Sequence, residues 1–347
     1  MSRTLLEALN TALSECMAAN PNVLLLGEDI LDPYGGSFKV TRGLSTRYPL
    51  QVLTSPISEG ALAGVAAGMA LRGLRPVVEV MFGDFLTLMA DQIINHISKV
   101  SWMYGETLPL PLVIRTPMGG RRGYGPTHSQ TLEKHFLGTP GINVVAPVCL
   151  SDGSADPQEL LKHIILESTT PTLFIENKLQ YLQPVQTAAD LPDFLIETIY
   201  DKQDTTHTYP IYCLRLRGAP RATLTLTAYG YMANLAREAM LDLAYQDEIF
   251  TELIIPTRLA PFNLTGLGES LHKTQRLLTV EEGGLSLGWG AEIIALASSQ
   301  IHLRSTGRVA ARDLPVPASP ALENQVLPQV ADICAAARRL FTEESHA

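Results

Sequence analysis

The stretch Thr54-Ser55-Pro56-Ile57-Ser58-Glu59-Gly60-Ala61 decides how the rest of the chain reads. Upstream, Asn22-Val23-Leu24-Leu25-Leu26-Gly27 and Gln51-Val52-Leu53 are short apolar runs of strand type. Downstream, Gly or Ala fills eight of the twelve positions from Gly60 to Leu71. Glu59 therefore stands between a strand end and a helix of very small residues. Gly60, Gly64 and Gly68 recur every four residues and form a smooth ridge on which a second helix can approach closely. A Glu at a helix start is also favoured by the helix dipole and the free N–H groups, so position alone does not separate capping from chemistry.

Outward from this point the first half alternates. Helices are predicted over 3–19, 59–71, 85–104, 130–137 and 156–167, with strands over 23–26, 51–54, 75–80, 111–115, 143–146 and 172–176. Gly-rich loops fall at 32–43 and 117–127. Such alternation predicts a parallel sheet covered by helices on both faces. The rhythm is lost from Gln180 to Arg221, which holds several Pro, Asp and Thr residues and reads as a linker with an edge hairpin at 209–217. A second α/β unit follows, with strands at 222–227, 249–255, 276–281 and 308–312 and helices at 232–245, 266–274, 290–301 and 320–341. The expected fold is α/β: one domain over 1–185, an irregular segment over 186–221 and a second domain over 222–347, each domain a mostly parallel sheet flanked by helices.

Composition narrows the function. The 347 residues carry a formal net charge of −9 and no Lys/Arg-rich run, which argues against a nucleic-acid backbone or an anionic membrane as partner. No apolar run reaches the ~20 residues of a spanning helix. Cys16, Cys149, Cys213 and Cys334 are far apart and lack metal-ligand spacing, so reduced thiols are expected. The N-terminus lacks the charged head and apolar run of a signal peptide, and a cytoplasmic location is expected.

The motifs then fall in a specific order. Gly27-Glu28-Asp29 is followed by Gly35-Gly36-Ser37-Phe38-Lys39-Val40-Thr41-Arg42-Gly43-Leu44, Pro56-Ile57-Ser58-Glu59 and Gly73-Leu74-Arg75-Pro76. Phe85, Asp91-Gln92-Ile93-Ile94-Asn95, Pro111 to Pro117 and His128-Ser129-Gln130 come next. Leu278-Thr279-Val280-Glu281-Glu282-Gly283-Gly284 and Arg308 to Pro317 continue the order past the linker. This order resembles the β subunit of the E1 component of 2-oxo acid dehydrogenase complexes, of pyruvate, branched-chain or acetoin type, within the transketolase-like thiamine diphosphate enzymes.

The resemblance implies a pyrimidine-binding transketolase-like domain followed by a transketolase C-terminal-like domain. It implies that Glu59 hydrogen-bonds the ring nitrogen of the aminopyrimidine of thiamine diphosphate and favours the imino tautomer, which removes the proton from thiazolium C2. A carboxylate suits that task where no salt bridge competes for it. Phe85 is implied to stack on the aminopyrimidine, as a flat ring face allows, with Ile57 and Met81 as apolar neighbours. His128 is implied to help pass the acyl group to the lipoyl arm of an E2 acyltransferase, using a ring that titrates near neutral pH. Arg121 and Arg122 stand where the family commonly has small residues; they form a solvated face or meet an anionic substrate or carrier.

The family's loop for K⁺ maps to the carbonyls of Leu112, Ile165 and Leu166 together with Ser168 and Thr170. Asp and Asn are common there before a Pro, whereas this chain has Ser168 and Thr170 before Pro171. The diphosphate motif of such enzymes, Gly-Asp-Gly followed by Asn-Asn, is missing from this chain. Half a site implies an α subunit that brings Mg²⁺ and the diphosphate, in an α₂β₂ heterotetramer in which the Gly60/Gly64/Gly68 ridge is a candidate helix contact. The implied reaction is decarboxylation of a 2-oxo acid with acyl transfer to lipoamide. One alternative is a related enzyme that forms carbon–carbon bonds, as in acyloin synthesis. Another is a serine hydrolase built on Gly284-Leu285-Ser286-Leu287-Gly288, with Asp313 and His346 completing a triad.

Overall fold

The computed structural model describes residues 3–105, 108–201 and 208–342. The first half runs α1 (Leu5–Ala19), β1 (Val23–Gly27), α2 (Leu44–Arg47), β2 (Val52–Thr54), α3 (Glu59–Leu71) and β3 (Arg75–Glu79). It continues through α4 (Leu86–Asp91), α5 (Val100–Met103), β4 (Val113–Met118), β5 (Asn143–Val145), α6 (Pro157–Leu166) and β6 (Thr172–Asn177). The second half holds β7 (Phe194–Ile199), β8 (Ile211–Leu216), β9 (Leu224–Ala228), α7 (Met232–Asp247), β10 (Thr251–Pro256) and β11 (Arg258–Ala260). It closes with α8 (Leu267–Thr274), β12 (Arg276–Gly284), α9 (Trp289–Gln300), β13 (Ser305–Ala311), α10 (Pro320–Val326) and α11 (Val330–Thr342). Among the described residues, no helix is long and apolar enough to cross a membrane.

Local chemistry starts the chain cleanly. The Thr4 hydroxyl accepts the Glu7 N–H, and the Glu7 carboxylate accepts the Thr4 N–H, a reciprocal capping box that opens α1. The strands form two sheets, in the orders β11-β5-β6-β4-β3-β1-β2 and β13-β12-β9-β10-β8-β7. All pairings in the first sheet are parallel except β11 with β5; in the second, β8 is antiparallel to both its neighbours. The α/β class with two mostly parallel, helix-flanked sheets is therefore as expected.

Five local expectations differ. The segment 186–221 is not an irregular linker: it supplies β7 and β8, which add an antiparallel edge to the second sheet. Its hairpin pairs 194–199 with 211–216, so the expected hairpin at 209–217 contains only the second strand. The helix expected at 85–104 is interrupted by a π turn at Gln92–Ile97, where Ser98 N–H reaches back five residues to the Ile93 carbonyl at 3.0 Å. Only a short 3₁₀ turn, Glu133–His135, forms within 130–137, because Glu133 is buried and accepts a hydrogen bond from Tyr229 of the second half. The helix expected at 320–341 breaks at Leu327, which is extended because Pro328 disfavours helical backbone in the residue before it.

Two features join the layers. β11 leaves the second half to pair with β5, so the first sheet has an edge strand from far along the chain. At the centre of the first sheet, Arg115 on β4 is 1% exposed and bonds Glu79 on β3 at 3.0 Å and Glu176 on β6 at 2.8 Å. Tyr181 donates to the same Glu176 at 2.6 Å. Breaking such a buried pair by removing one partner costs ~3–5 kcal/mol, so the network holds three strands in one arrangement.

Candidate active site

Glu59 is the first residue of α3 and is 6% exposed. No side chain caps this helix; Ser58, at the N-cap, donates its N–H instead to the Glu28 carboxylate at 2.9 Å. Burial, with the Glu59 carboxylate nearby, holds Glu28 above the usual carboxylate range. Two acids thus converge where β1 ends and α3 begins, the geometry of a site able to share a proton.

The glycine ridge explains how α3 reaches the next element. A Cβ on Gly60 would lie 3.2 Å from the Leu88 carbonyl, and one on Gly64 3.4 Å from the Gln92 amide oxygen. Both glycines therefore face the chain's own α4 and the π turn after it. Gly68 has open space around it. The ridge expected to serve an assembly contact is thus divided, two glycines packing inside the chain and one left outside.

The α3 glycines thus pack on α4, the helix that Phe85 immediately precedes. The Phe85 ring meets the His128 ring edge to face at 5.4 Å. Phe82 joins both, 4.8 Å from His128 and 6.0 Å from Phe85. Its other neighbours are Phe38 at 5.5 Å and Tyr124 at 5.7 Å. Phe85 and His128, separated by more than forty positions, are therefore one aromatic cluster, and Met81 is half-buried just before it. Ile57 is 74% exposed and stays on the surface of this chain.

His128 is held from several sides. Its Nδ1 lies 3.0 Å from the Thr127 hydroxyl, and either atom can donate. Its carbonyl accepts from Lys178 Nζ at 2.6 Å, and the same ammonium donates to the Gly119 carbonyl at 2.8 Å. Lys178 is 1% exposed, and burial pulls its ammonium down to about 8, against the opposing attraction of Asp84 and Glu282. Asp84 accepts from the Gln130 side chain at 2.8 Å, fixing the chain just past His128, while its second carboxylate oxygen is buried without a protein partner.

The second half completes the loop's support. Glu282 on β12 accepts the Gly120 N–H at 2.7 Å and the Asn177 amide at 2.9 Å. Glu323 on α10 accepts the Arg121 N–H at 2.6 Å. The Arg121 guanidinium stacks over Tyr231 at 5.6 Å, lies 3.8 Å from Glu282 and donates to the Pro328 carbonyl. Arg121 is thus tied to the second half, while Arg122 is exposed and lies 6.0 Å over Tyr124. Phe82, Lys178 and Asp84 carry no motif signal. Lys178 could be read only as a charge at the end of an apolar strand, a hint of a cation drawn into a pocket.

Of the residues mapped to K⁺, Leu112, Ile165, Ser168 and Thr170 have carbonyls with other partners. Arg75 donates to the carbonyls of Ile165 at 2.8 Å and Ser168 at 3.1 Å. The Leu112 carbonyl accepts the Thr172 N–H at 2.8 Å, and the Thr170 carbonyl accepts the hydroxyls of Ser168 at 3.0 Å and Thr172 at 3.2 Å. With donors on these oxygens and no acid at Ser168 or Thr170, they do not fit a metal ion. Leu166 ends α6 and is half-buried.

The alternative hydrolase site fares no better. The Ser286 hydroxyl donates directly to the Asp313 carboxylate at 2.7 Å, leaving no place for an imidazole between them. His346 lies outside the described residues.

Comparison with known proteins shows the family of the chain. Residues 2–183 match the transketolase pyrimidine-binding domain, and residues 215–333 match the transketolase C-terminal domain. The pyruvate dehydrogenase E1 component subunit beta-2, mitochondrial, of Oryza sativa subsp. japonica is 34% identical over 97% of this chain and 85% of its own. The pyruvate dehydrogenase E1 component subunit beta of Rhizobium meliloti (strain 1021) is 34% identical over 95% of this chain and 68% of its own. Among solved structures, a split-gene transketolase in an inactive beta4 tetramer superposes with a TM-score of 0.74 at 20% identity, covering 98% of each chain. That likeness speaks to the fold.

Proposed function

We propose, on the premise that this chain belongs to the pyruvate dehydrogenase E1 β-subunit family of transketolase-like proteins, that it is the β subunit of a thiamine diphosphate-dependent 2-oxo acid dehydrogenase. The observation that supports this reading is buried Glu59 at the start of α3, whose glycines pack on α4, the helix that follows Phe85 of the Phe82/Phe85/His128 cluster.

These residues suit the pyrimidine half of thiamine diphosphate. A buried carboxylate at an uncapped helix start and a half-buried ring are the groups an aminopyrimidine needs. When bound, the cofactor supplies a carbon nucleophile and an electron sink for decarboxylation. Glu59 would hold the proton shared with the pyrimidine ring nitrogen, and Phe85 would offer a ring face. His128, at the rim of the cluster, would move a proton during acyl transfer. Its ring orientation is set by Phe82 on one side and Thr127 on the other.

Magnesium and the diphosphate belong, in this reading, to an α partner in an α₂β₂ assembly, because the chain lacks the Gly-Asp-Gly and Asn-Asn segments. Ile57, Val65, Leu71 and Leu88 are 74%, 54%, 45% and 60% exposed, and Gly68 is exposed among them. This apolar face beside Glu59 is our candidate for the partner contact. Transfer to the lipoyl arm of an E2 acyltransferase follows as the second half-reaction. Four buried, unpaired cysteines suit a reducing compartment such as the cytoplasm.

The test is co-expression with the α subunit and assay of 2-oxo acid decarboxylation with lipoamide as acceptor. Turnover of 2-oxo acids with lipoamide supports the reading. Turnover only with an aldehyde or ketone acceptor would reassign the chain to carbon–carbon bond formation, and no turnover with any acceptor would overturn it.

A further inference from the structure

We propose that the Arg75 guanidinium does in this chain the structural work of a bound monovalent cation, so that the fold has no need of K⁺. Arg75 opens β3, and its Nη1 reaches the carbonyls of Ile165 at the end of α6 and Ser168 in the loop after it, at 2.8 and 3.1 Å. Both acceptors are main-chain oxygens whose dipoles point at one positive group. A guanidinium is charged at every working pH, and its donors are fixed in direction. It therefore gathers these carbonyls as a metal would, but without exchanging with solvent.

Two further oxygens mapped to the ion are committed as well. The Thr170 carbonyl accepts two hydroxyls, from Ser168 and Thr172, and the Leu112 carbonyl accepts the Thr172 N–H. Charge points the same way. An ion on the carbonyls of Ile165 and Ser168 would share them with a fixed cation, and two like charges repel at that range. Between Glu167 and Pro171 the one acid is Glu167, which is exposed. Ser168 and Thr170 supply hydroxyls that close the loop on itself rather than charge that would hold an ion.

The location gives the contact a purpose. Arg75 lies at the start of β3, which leads to Phe82 and Phe85, and the loop it binds leads into β6, which ends at Asn177 beside Lys178. Tying the two beginnings together fixes how the two ends meet at the site. The inference concerns the folded chain and holds whichever acyl acceptor the enzyme uses.

The experiment is thermal melting of the full chain, followed by circular dichroism, in potassium, sodium and tetramethylammonium chloride at equal ionic strength. The expected result is one Tm in all three salts, with Arg75→Gln lowering it by roughly 3–6 °C in each. A Tm several degrees higher in potassium alone would overturn the proposal. So would an Arg75→Gln chain that melts with the parent. Should that variant not fold, the three-salt comparison on the unaltered chain still decides the matter.

Discussion

The Lys178 ammonium donates to the carbonyl oxygen of His128 at 2.6 Å. Its second acceptor, Gly119, lies at the other end of the same loop, so one buried cation staples the segment that presents His128. Phe82 lies 5.2 Å from that nitrogen and faces both the cation and the imidazole. The staple joins β6, the loop and the aromatic cluster.

Replacing Lys178 by Met releases both carbonyls. In the assembled enzyme, kcat is expected to fall about 10-fold or more through misplacement of His128, with the KM for the 2-oxo acid little changed. Lys178 also leaves a stability signature. Its ammonium titrates at about 8 in the folded chain, against an ordinary 10.5. Between those values the unfolded chain keeps a proton that the folded chain has lost, so this group makes stability rise with pH across that window. Urea midpoints at pH 7.5 and 10 should show the rise in the parent and lose it in Lys178→Met.

Glu59→Gln preserves shape and removes the carboxylate. Activity of the co-expressed complex is expected to fall about 10²- to 10⁴-fold, the range for loss of a general acid or base. Melting temperature and recovery of the complex should stay close to the parent. Unchanged thiamine-dependent turnover would show that Glu59 only begins a helix.

Burial pushes the Glu133 carboxyl up to about 7, with Tyr229 donating to it and opposing the rise. Its folded value lies above the ordinary 4.5, so its contribution is complete below that pH and is lost as pH climbs toward about 7. The loss is on the order of 3 kcal/mol at most. Glu133→Gln, which cannot ionise, should flatten the fall of the urea midpoint between pH 5 and 8.

The divided glycine ridge separates packing from assembly. Gly60→Ala puts a methyl 3.2 Å from the Leu88 carbonyl and should destabilise the chain, because a backbone atom must move. Gly68→Ala meets open space and should stabilise the chain by up to ~1 kcal/mol through helix propensity. If the exposed face of α3 receives the α partner, Gly68→Ala should also weaken recovery of the complex. Thermal melting of the chain and co-purification with the partner read the two effects apart.

Much of this was legible in the residues. The strand runs of β1 and β3 are apolar because a parallel sheet buries them on both faces, and α3 could be bounded from Glu59 to Leu71 because composition changes sharply at both ends. Glu59, Phe85 and His128 stood out as candidates because a long order of motifs surrounds them. Lys178, Phe82 and Asp84 did not, since a buried lysine or a second phenylalanine in one sequence gives no sign of what it touches. The break at Pro328 was readable from proline's local sterics and was overridden by the apolar period on both sides of it.

Period and composition act over a few residues, and by themselves they determined the alternating elements, the two-sheet class and the small-residue helix behind Glu59. Contacts between distant segments are set by how whole elements pack, and only the tertiary structure decided those. It sent β11 back to the first sheet and melted the expected helix at 130–137 into a turn, so that Glu133 could reach Tyr229. It also set Arg75 on the carbonyls of Ile165 and Ser168, which the family resemblance had mapped to an ion. A carbonyl's partner depends on which donor the fold brings within 3 Å, and no local pattern encodes that.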